Sequence, residues 1–199
     1  MRLGYWVRHP RRLLSRIRYW WWERRNPDKP WLTPGAVAFL ESRLKNDMSA
    51  LELGSGRSTL WYASKVGRLL SVEHHAGWYE SVNSELVRHD LRNVDYRYVP
   101  LDHPESDPER FEYNLLPAYV AVVADCLDES LDFVVVDGHY RSTCIMAALS
   151  KIKPGGLLLV DDANMWPDNE PPVPCEWPEV SRKTNGIKFT VIWRKPCGD

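Results

Sequence analysis

An α/β fold, doubly wound around a mostly parallel sheet, is what this 199-residue sequence predicts. Three observations carry that prediction. From residue 48 onward, short apolar runs alternate with longer stretches at helical spacing, the pattern of strands buried on both faces by crossover helices. A pair of glycines follows the first of those runs, and an acidic residue ends the second. The last run follows Asn185-Gly186, a tight-turn signal, so the C-terminal strand is expected to run antiparallel.

The elements follow in order. The first strand is expected at about Ser49–Leu53, ended by Gly54-Ser55-Gly56, with a helix after it whose apolar side carries Leu60, Trp61, Ala63 and Val66. Leu69–Glu73 is the second strand, about Gly77–His89 the second helix, and Val94–Val99 alternates as a third strand. Residues 100–112 hold Pro100, Pro104 and Pro108 and are expected to loop over the sheet's edge. Leu116–Leu127 is apolar enough for a helix that starts near Pro117, a residue tolerated in a first helical turn. Phe133–Asp137 is the most strand-like run and takes a central place. A helix over about Ser142–Ile152 then leads to a Pro154-Gly155-Gly156 turn and the strand Leu157–Val160. Residues 163–178 hold five prolines and no period, which predicts an irregular segment. Ile187–Arg194 closes the sheet, paired with a strand near Val180–Lys183.

Charge divides the chain in two. The formal net charge is −1, which argues against a whole-protein electrostatic partner such as nucleic acid. Residues 1–30 carry nine Lys and Arg against two acids, a net +7, so residues 31–199 carry −8. A basic arm therefore precedes an acidic domain. Trp6, Trp20, Trp21, Trp22 and Trp31 lie in or just after that arm, and a helix over residues 11–25 would put Leu13, Ile17 and Trp20 or Trp21 on one face. Arginine and tryptophan on an amphipathic helix suit an anionic membrane surface, so peripheral membrane contact through residues 1–28 is one expectation. A lid, a protein-docking arm, or tryptophans simply packed on the domain are the others. The four cysteines form no CxxC pair, no apolar run approaches the ~20 residues of a membrane span, and no signal-like segment opens the chain. A cytoplasmic protein with reduced thiols is expected.

The exit of the first strand is the most informative stretch. Gly54 and Gly56 allow a tight turn and a close approach to backbone. Ser58 or Thr59 can cap the helix that follows. About 20 residues on, Glu73 is placed to accept hydrogen bonds from both hydroxyls of a ribose, with His74 and His75 beside it to frame the pocket or begin a helix. Together these predict a nucleoside site. A dinucleotide loop needs a third glycine where Thr59 stands, and Glu52 is poorly suited to a pyrophosphate. A cationic ligand suits Glu52 better.

These segments resemble a known family. Ala50-Leu51-Glu52-Leu53-Gly54-Ser55-Gly56 is similar to the first motif of class I methyltransferases, which have a Rossmann-like fold and use S-adenosylmethionine. Asp132-Phe133-Val134-Val135-Val136-Asp137-Gly138 resembles the family's fourth-strand motif, and Lys153 to Asp162 its turn and fifth strand. The resemblance covers about residues 31–162 and implies that Glu52, Gly54 and Gly56 line the methionine end and that Glu73 holds the ribose; Ser55, Ser58, Thr59, His74 and Asp137 are expected to complete the cofactor site. The proline-rich tail departs from the family, which has a helix there. Trp31–Gly35 and the helix at Ala36–Leu44 form a lead-in of the kind that walls the methyl acceptor in that family.

Asp137, Asp161 and Asp162 fall at the ends of two neighbouring strands and would repel one another unless a proton or cation intervenes. Mg²⁺ would answer, as in metal-dependent O-methyltransferases that the pattern resembles, with Asn164 as a further contributor. The other reading is that Asp161 or Asp162 caps local structure and Asp137 orients substrate or cofactor. His139, on the same loop, suits a general base, and Arg141 an acidic group on the acceptor. The expected activity is methyl transfer to an oxygen of a small, sugar-linked or lipid-linked acceptor. The rivals are an NAD-dependent oxidoreductase and a non-catalytic nucleoside-binding or scaffold protein of the same fold.

Overall fold

The computed structural model describes residues 9–104, 116–166, 168 and 170–198. Trp6 and Pro108, named above, lie outside the described residues. In chain order the elements are α1 (Pro10–Arg25), α2 (Pro34–Glu41), β1 (Ser49–Leu53), α3 (Arg57–Ala63), β2 (Arg68–Glu73), α4 (Ala76–Arg88), β3 (Val94–Tyr98), α5 (Ala118–Ala121), β4 (Leu131–Val136), α6 (Arg141–Ala148), β5 (Ile152–Val160), β6 (Glu179–Thr184) and β7 (Phe189–Arg194).

Seven strands form one sheet in the order β3-β2-β1-β4-β5-β7-β6. The chain winds outward from β1 to β3, then returns to lay β4 on the other side of β1, and all of these pairs are parallel, as is β4 with β5. Only β7 runs against the rest, antiparallel to both β5 and β6. Period-two alternation sorts the side chains into two cores. Leu51, Leu53, Val134, Val136, Leu158 and Val160 face α5, α6 and Trp177. Ala50, Phe133, Val135, Leu157 and Leu159 face α2, α3 and the Trp61–Tyr62 pair. Such two-faced burial accounts for the near-continuous apolar runs.

Several expected boundaries shift for identifiable reasons. Pro154-Gly155-Gly156 lies inside β5 rather than ahead of it, and the ladder to β4 absorbs it as an irregularity between Leu131 and Phe133. The helix expected over Leu116–Leu127 is one four-residue turn that tightens into a 3₁₀ segment, Val122–Asp125. The helix expected to Ile152 ends at Ala148 and finishes as 3₁₀, which frees Ile152 to enter the sheet. The described part of the tail makes no α-helix, yet Trp177 is buried and Val173 packs on the same core. Irregular chain thus covers the face that a helix would otherwise cover.

The arm is helical as its pattern predicts. Tyr19 anchors α1 to the domain: it is 6% exposed, and its hydroxyl donates to the Leu32 carbonyl at 3.1 Å. Ser15 sits on the β6–β7 turn, where Gly186 has φ +82 and any Cβ would fall 2.2 Å from the serine oxygen.

Candidate functional site

Strand order reverses between β1 and β4, and in such sheets the ligand crevice opens there, beyond the strands' carboxyl ends. The two exit loops meet through bare backbone. Gly54 has φ +100, and a Cβ on it would stand 2.4 Å from the Gly138 nitrogen. A Cβ on Gly138 would in turn stand 2.2 Å from the Tyr119 hydroxyl, which is fully buried and makes no hydrogen bond. Both positions therefore require glycine.

Glu52 is fully buried behind the loop. Ser58 and Thr59 each donate a hydroxyl to it at 2.6 Å, and Ser71, from the neighbouring β2, donates a third at 2.7 Å. Burial pushes its carboxyl up to about 7, an effect the three hydroxyls only partly offset. Gly56 is the residue that caps α3; Thr59, at the helix's third position, accepts the Gly56 N–H at 3.0 Å, and Ser58 is spent on Glu52. Glu52 and Thr59 thus reach no solvent, whereas Ser55 and Ser58 are half-exposed at the loop's front. Ser71 was not singled out in the sequence. A serine within the apolar run Leu69–Val72 was the available signal; in the sheet it is the register partner of Glu52.

Glu73 stands at the end of β2 as expected, 3% exposed. One of its oxygens accepts the Ser55 N–H at 3.0 Å and the Ser55 hydroxyl at 2.7 Å. The other accepts the backbone N–H groups of His74 and His75 at 2.9 and 2.8 Å. Ser55 Oγ also lies 2.7 Å from the Tyr96 hydroxyl on β3, and Tyr96 stacks on Tyr79 at 4.7 Å. Tyr96 was missed too; its alternation with Tyr98 on one strand face was the only hint. His75 begins α4, its ring nitrogen accepting from the Trp78 N–H at 3.2 Å. His74 turns toward the β4 exit loop, its ring 5.4 Å from that of His139, which is itself 5.5 Å from His103 and 5.1 Å from Tyr140.

At the rim of β4 and β5 the three acids converge: Asp137, Asp161 and Asp162 offer oxygens all within 4.8 Å of one another, the only such cluster among the described residues. The chain supplies their counter-charge itself. Lys188, the residue before β7, forms an ion pair with Asp161, whose other oxygen accepts from Thr190 at 2.6 Å. Arg141 donates to the Asp137 carboxylate at 2.9 Å and also to the backbone carbonyls of Asp137, Gly138 and Asp161. It lies 3.9 Å from Asp162. Desolvation, and for each acid the charge of an acidic neighbour, hold Asp137 and Asp161 above the usual carboxylate range, while Lys188 and Arg141 pull the other way. With Asp161 fully buried and both its oxygens engaged, this donor set does not fit a divalent ion such as Mg²⁺. Arg141 has little left for an acceptor's acidic group, because each nitrogen of its guanidinium already donates within the rim. Asn164 points elsewhere, accepting the Phe189 N–H at 3.0 Å. Tyr140 and Asp162, which begin the two rim segments, both hold the left-handed conformation at φ 50, a strain the rim's cross-bracing must sustain.

The lead-in closes the opposite wall. Trp31 meets Trp78 edge-on at 5.9 Å and lies under the Arg57 guanidinium at 5.2 Å, beside an opening of about 50 Å³ that Ser55, Gly56 and Asp137 also line. Thr33 is buried behind it, its N–H donating to Thr190, the same hydroxyl that serves Asp161. A second cavity of about 220 Å³ runs between α1 and the β7 start, lined by Arg16, Tyr19, Glu23, Trp31 and Lys188. Space before Gly56 is open: a Cβ there would meet nothing nearer than Ser58 Oγ at 4.0 Å.

This sheet order is that of the Rossmann-like fold found in class I S-adenosylmethionine-dependent methyltransferases. Solved structures agree. A methyltransferase from Geobacter sulfurreducens superposes with a TM-score of 0.60 at 12% identity over 91% of this chain and 88% of its own. An rRNA methylase from Streptococcus thermophilus gives 0.58 at 12% identity over 80% and 93%. A protein from Streptococcus mutans solved in complex with SAH gives 0.56 at 11% identity over 79% and 94%. No protein-family model matches this sequence, and no curated protein does either. At these identities the likeness establishes the fold: the chain is built on the class I methyltransferase scaffold.

Proposed function

We propose that this chain transfers a methyl group from S-adenosylmethionine to an oxygen of a small, sugar-linked or lipid-linked acceptor. The observation that carries the reading is the meeting of the Ser55 N–H with Glu73 at 3.0 Å, at the switch point and beside the open space before Gly56. Those residues fit the cofactor. Glu73 accepts from the ribose hydroxyls once the Ser55 hydroxyl turns wholly toward Tyr96, its other neighbour. Glu52 acts from behind, fixing the loop through three hydroxyls, and near neutral pH it stands ready to ionise opposite a cationic ligand. The opening beside Trp31 holds about 50 Å³, small against the roughly 300 Å³ or more of typical ligand sites, and a cavity of about 630 Å³ between α3 and α4 reaches the same Trp31, Gly56, Arg57 and Trp78.

When bound, the cofactor supplies an electrophilic methyl on its sulfonium. The chain's part is alignment and proton removal. Asp137 lines the opening, where its raised carboxyl would orient the acceptor hydroxyl, and His139, two residues further along the same loop, is the proposed base. Bases of this kind suit an oxygen nucleophile, which must lose a proton to attack. A nucleic-acid acceptor is disfavoured despite the rRNA methylase among the structural neighbours, because residues 31–199 carry −8 and would repel a phosphate backbone. The test is incubation with methyl-labelled S-adenosylmethionine and a panel of glycans, lipid-linked sugars, small phenols, amines and RNA. Label on an oxygen of one of the first three supports the proposal, and label confined to nitrogen or to RNA overturns it.

A further inference from the structure

The two long sides of α1 have different fates. Tyr19 and Ser15 face the domain, and Trp22 stacks on Tyr19 at 5.8 Å. Leu13, Leu14, Ile17, Trp20 and Trp21 do not take part; they are 37–61% exposed. At 100° per residue these five fall on one continuous stripe of about 120° on the outer side of the helix. Arg11, Arg18 and Arg25 border the stripe on one flank and Arg16 on the other. Arg24 lies within it, but its guanidinium rests 4.0 Å over the Trp20 ring. The packing of the arm therefore leaves unexplained the apolar half of an amphipathic helix.

We infer that α1 docks this protein on an anionic lipid surface, with Leu13, Leu14, Ile17, Trp20 and Trp21 in the headgroup–acyl boundary and the arginines on lipid phosphates. Charge complementarity selects the occupant. The helix carries six arginines against Glu23, a net +5, so two copies meeting through this same face would repel. Nucleic acid would accept the arginines and tryptophans but has no use for three exposed aliphatic chains. An anionic bilayer uses all of them. No helix among the described residues is long and apolar enough to cross a membrane, so α1 lies on the surface rather than through it.

The experiment is flotation of the full chain with phosphatidylglycerol–phosphatidylcholine vesicles and with pure phosphatidylcholine vesicles, without cofactor, so that its result is independent of the methyl-transfer reading. Binding is expected to the anionic vesicles only, and to weaken with salt. Leu14→Ser/Trp21→Ser should lower it about tenfold or more, and Arg11→Gln/Arg18→Gln/Arg25→Gln by a similar factor, with circular dichroism and melting temperature unchanged. A tryptophan emission blue shift on vesicle addition, lost in the first variant, is the second readout. Absence of flotation, flotation that both variants retain, or a self-association in ultracentrifugation that the first variant abolishes would each overturn the inference.

Discussion

Two regions of this molecule hold carboxylates that are buried or half-buried, and they solve the problem with different chemistry. At the glycine loop, Glu52 and Glu73 are held by hydroxyls and backbone N–H groups, with the His74 ring nitrogen 3.2 Å from Glu73 and no lysine or arginine among their described partners. At the β4–β5 rim, Asp137 and Asp161 are held by the fixed cations Arg141 and Lys188. Neutral donors can exchange with a ligand's hydroxyls at little electrostatic cost, and they leave the site's charge available to a cationic ligand. A cation-braced rim is stiffer: removing one member strands a buried charge. The first region is built to receive, the second to hold its shape.

The largest expected effect breaks the rim. Lys188→Met should cost about 3–5 kcal/mol in urea denaturation, and Lys188→Met/Asp161→Asn should recover most of that loss, because the stranded charge goes with its partner. Additive losses would show that the rim is not a charge-paired unit. The loop makes an opposite kind of prediction, one of pH. Glu52 is raised from 4.5 to about 7, so between those values the native state holds a proton that the unfolded chain has released. Its contribution is full below pH 4.5 and fades as pH rises through 7, by about 3 kcal/mol in all. Glu52→Gln should remove that part of the pH dependence; an unchanged pH profile would mean that Glu52 is not the group responsible. Glu73→Gln replaces one accepting oxygen by a donor facing the Ser55 N–H, and should weaken S-adenosylmethionine binding about tenfold or more in calorimetry. The smallest effect is a null one. Excess chelator should leave cofactor binding and turnover unchanged, since the rim's charge is met from within the chain; a strong dependence restored by Mg²⁺ would show that Lys188 or Arg141 yields to an ion.

The same contrast explains what could be read from the sequence. The glycine loop is local: Glu52, Gly54, Gly56 and Thr59 lie within eight residues, and Glu73 follows at one strand–helix–strand distance, so pattern alone places them together. The mostly parallel sheet and the antiparallel β7 were expected from the same alternation and the Asn185-Gly186 turn, whereas the full strand order comes only from the assembled sheet. The convergence of three acids was also legible, because β4 and β5 had to be neighbours. Their counter-ions were not. Lys188 lies 27 residues from Asp161, immediately before a strand whose place beside β5 only the assembled sheet reveals. Arg141 was visible, but not its commitment to three backbone carbonyls. In the arm, the helix and its apolar face were legible, whereas which side would meet the domain depended on the Tyr19 anchor and the close fit of Ser15 to Gly186.

The central claim is that the neutral, hydroxyl-lined region receives S-adenosylmethionine. Isothermal calorimetry of the full chain against S-adenosylmethionine and, separately, NAD tests it most directly. Saturable one-site binding of S-adenosylmethionine with no heat from NAD is the predicted result. Binding of NAD instead, or of neither compound, would contradict the account.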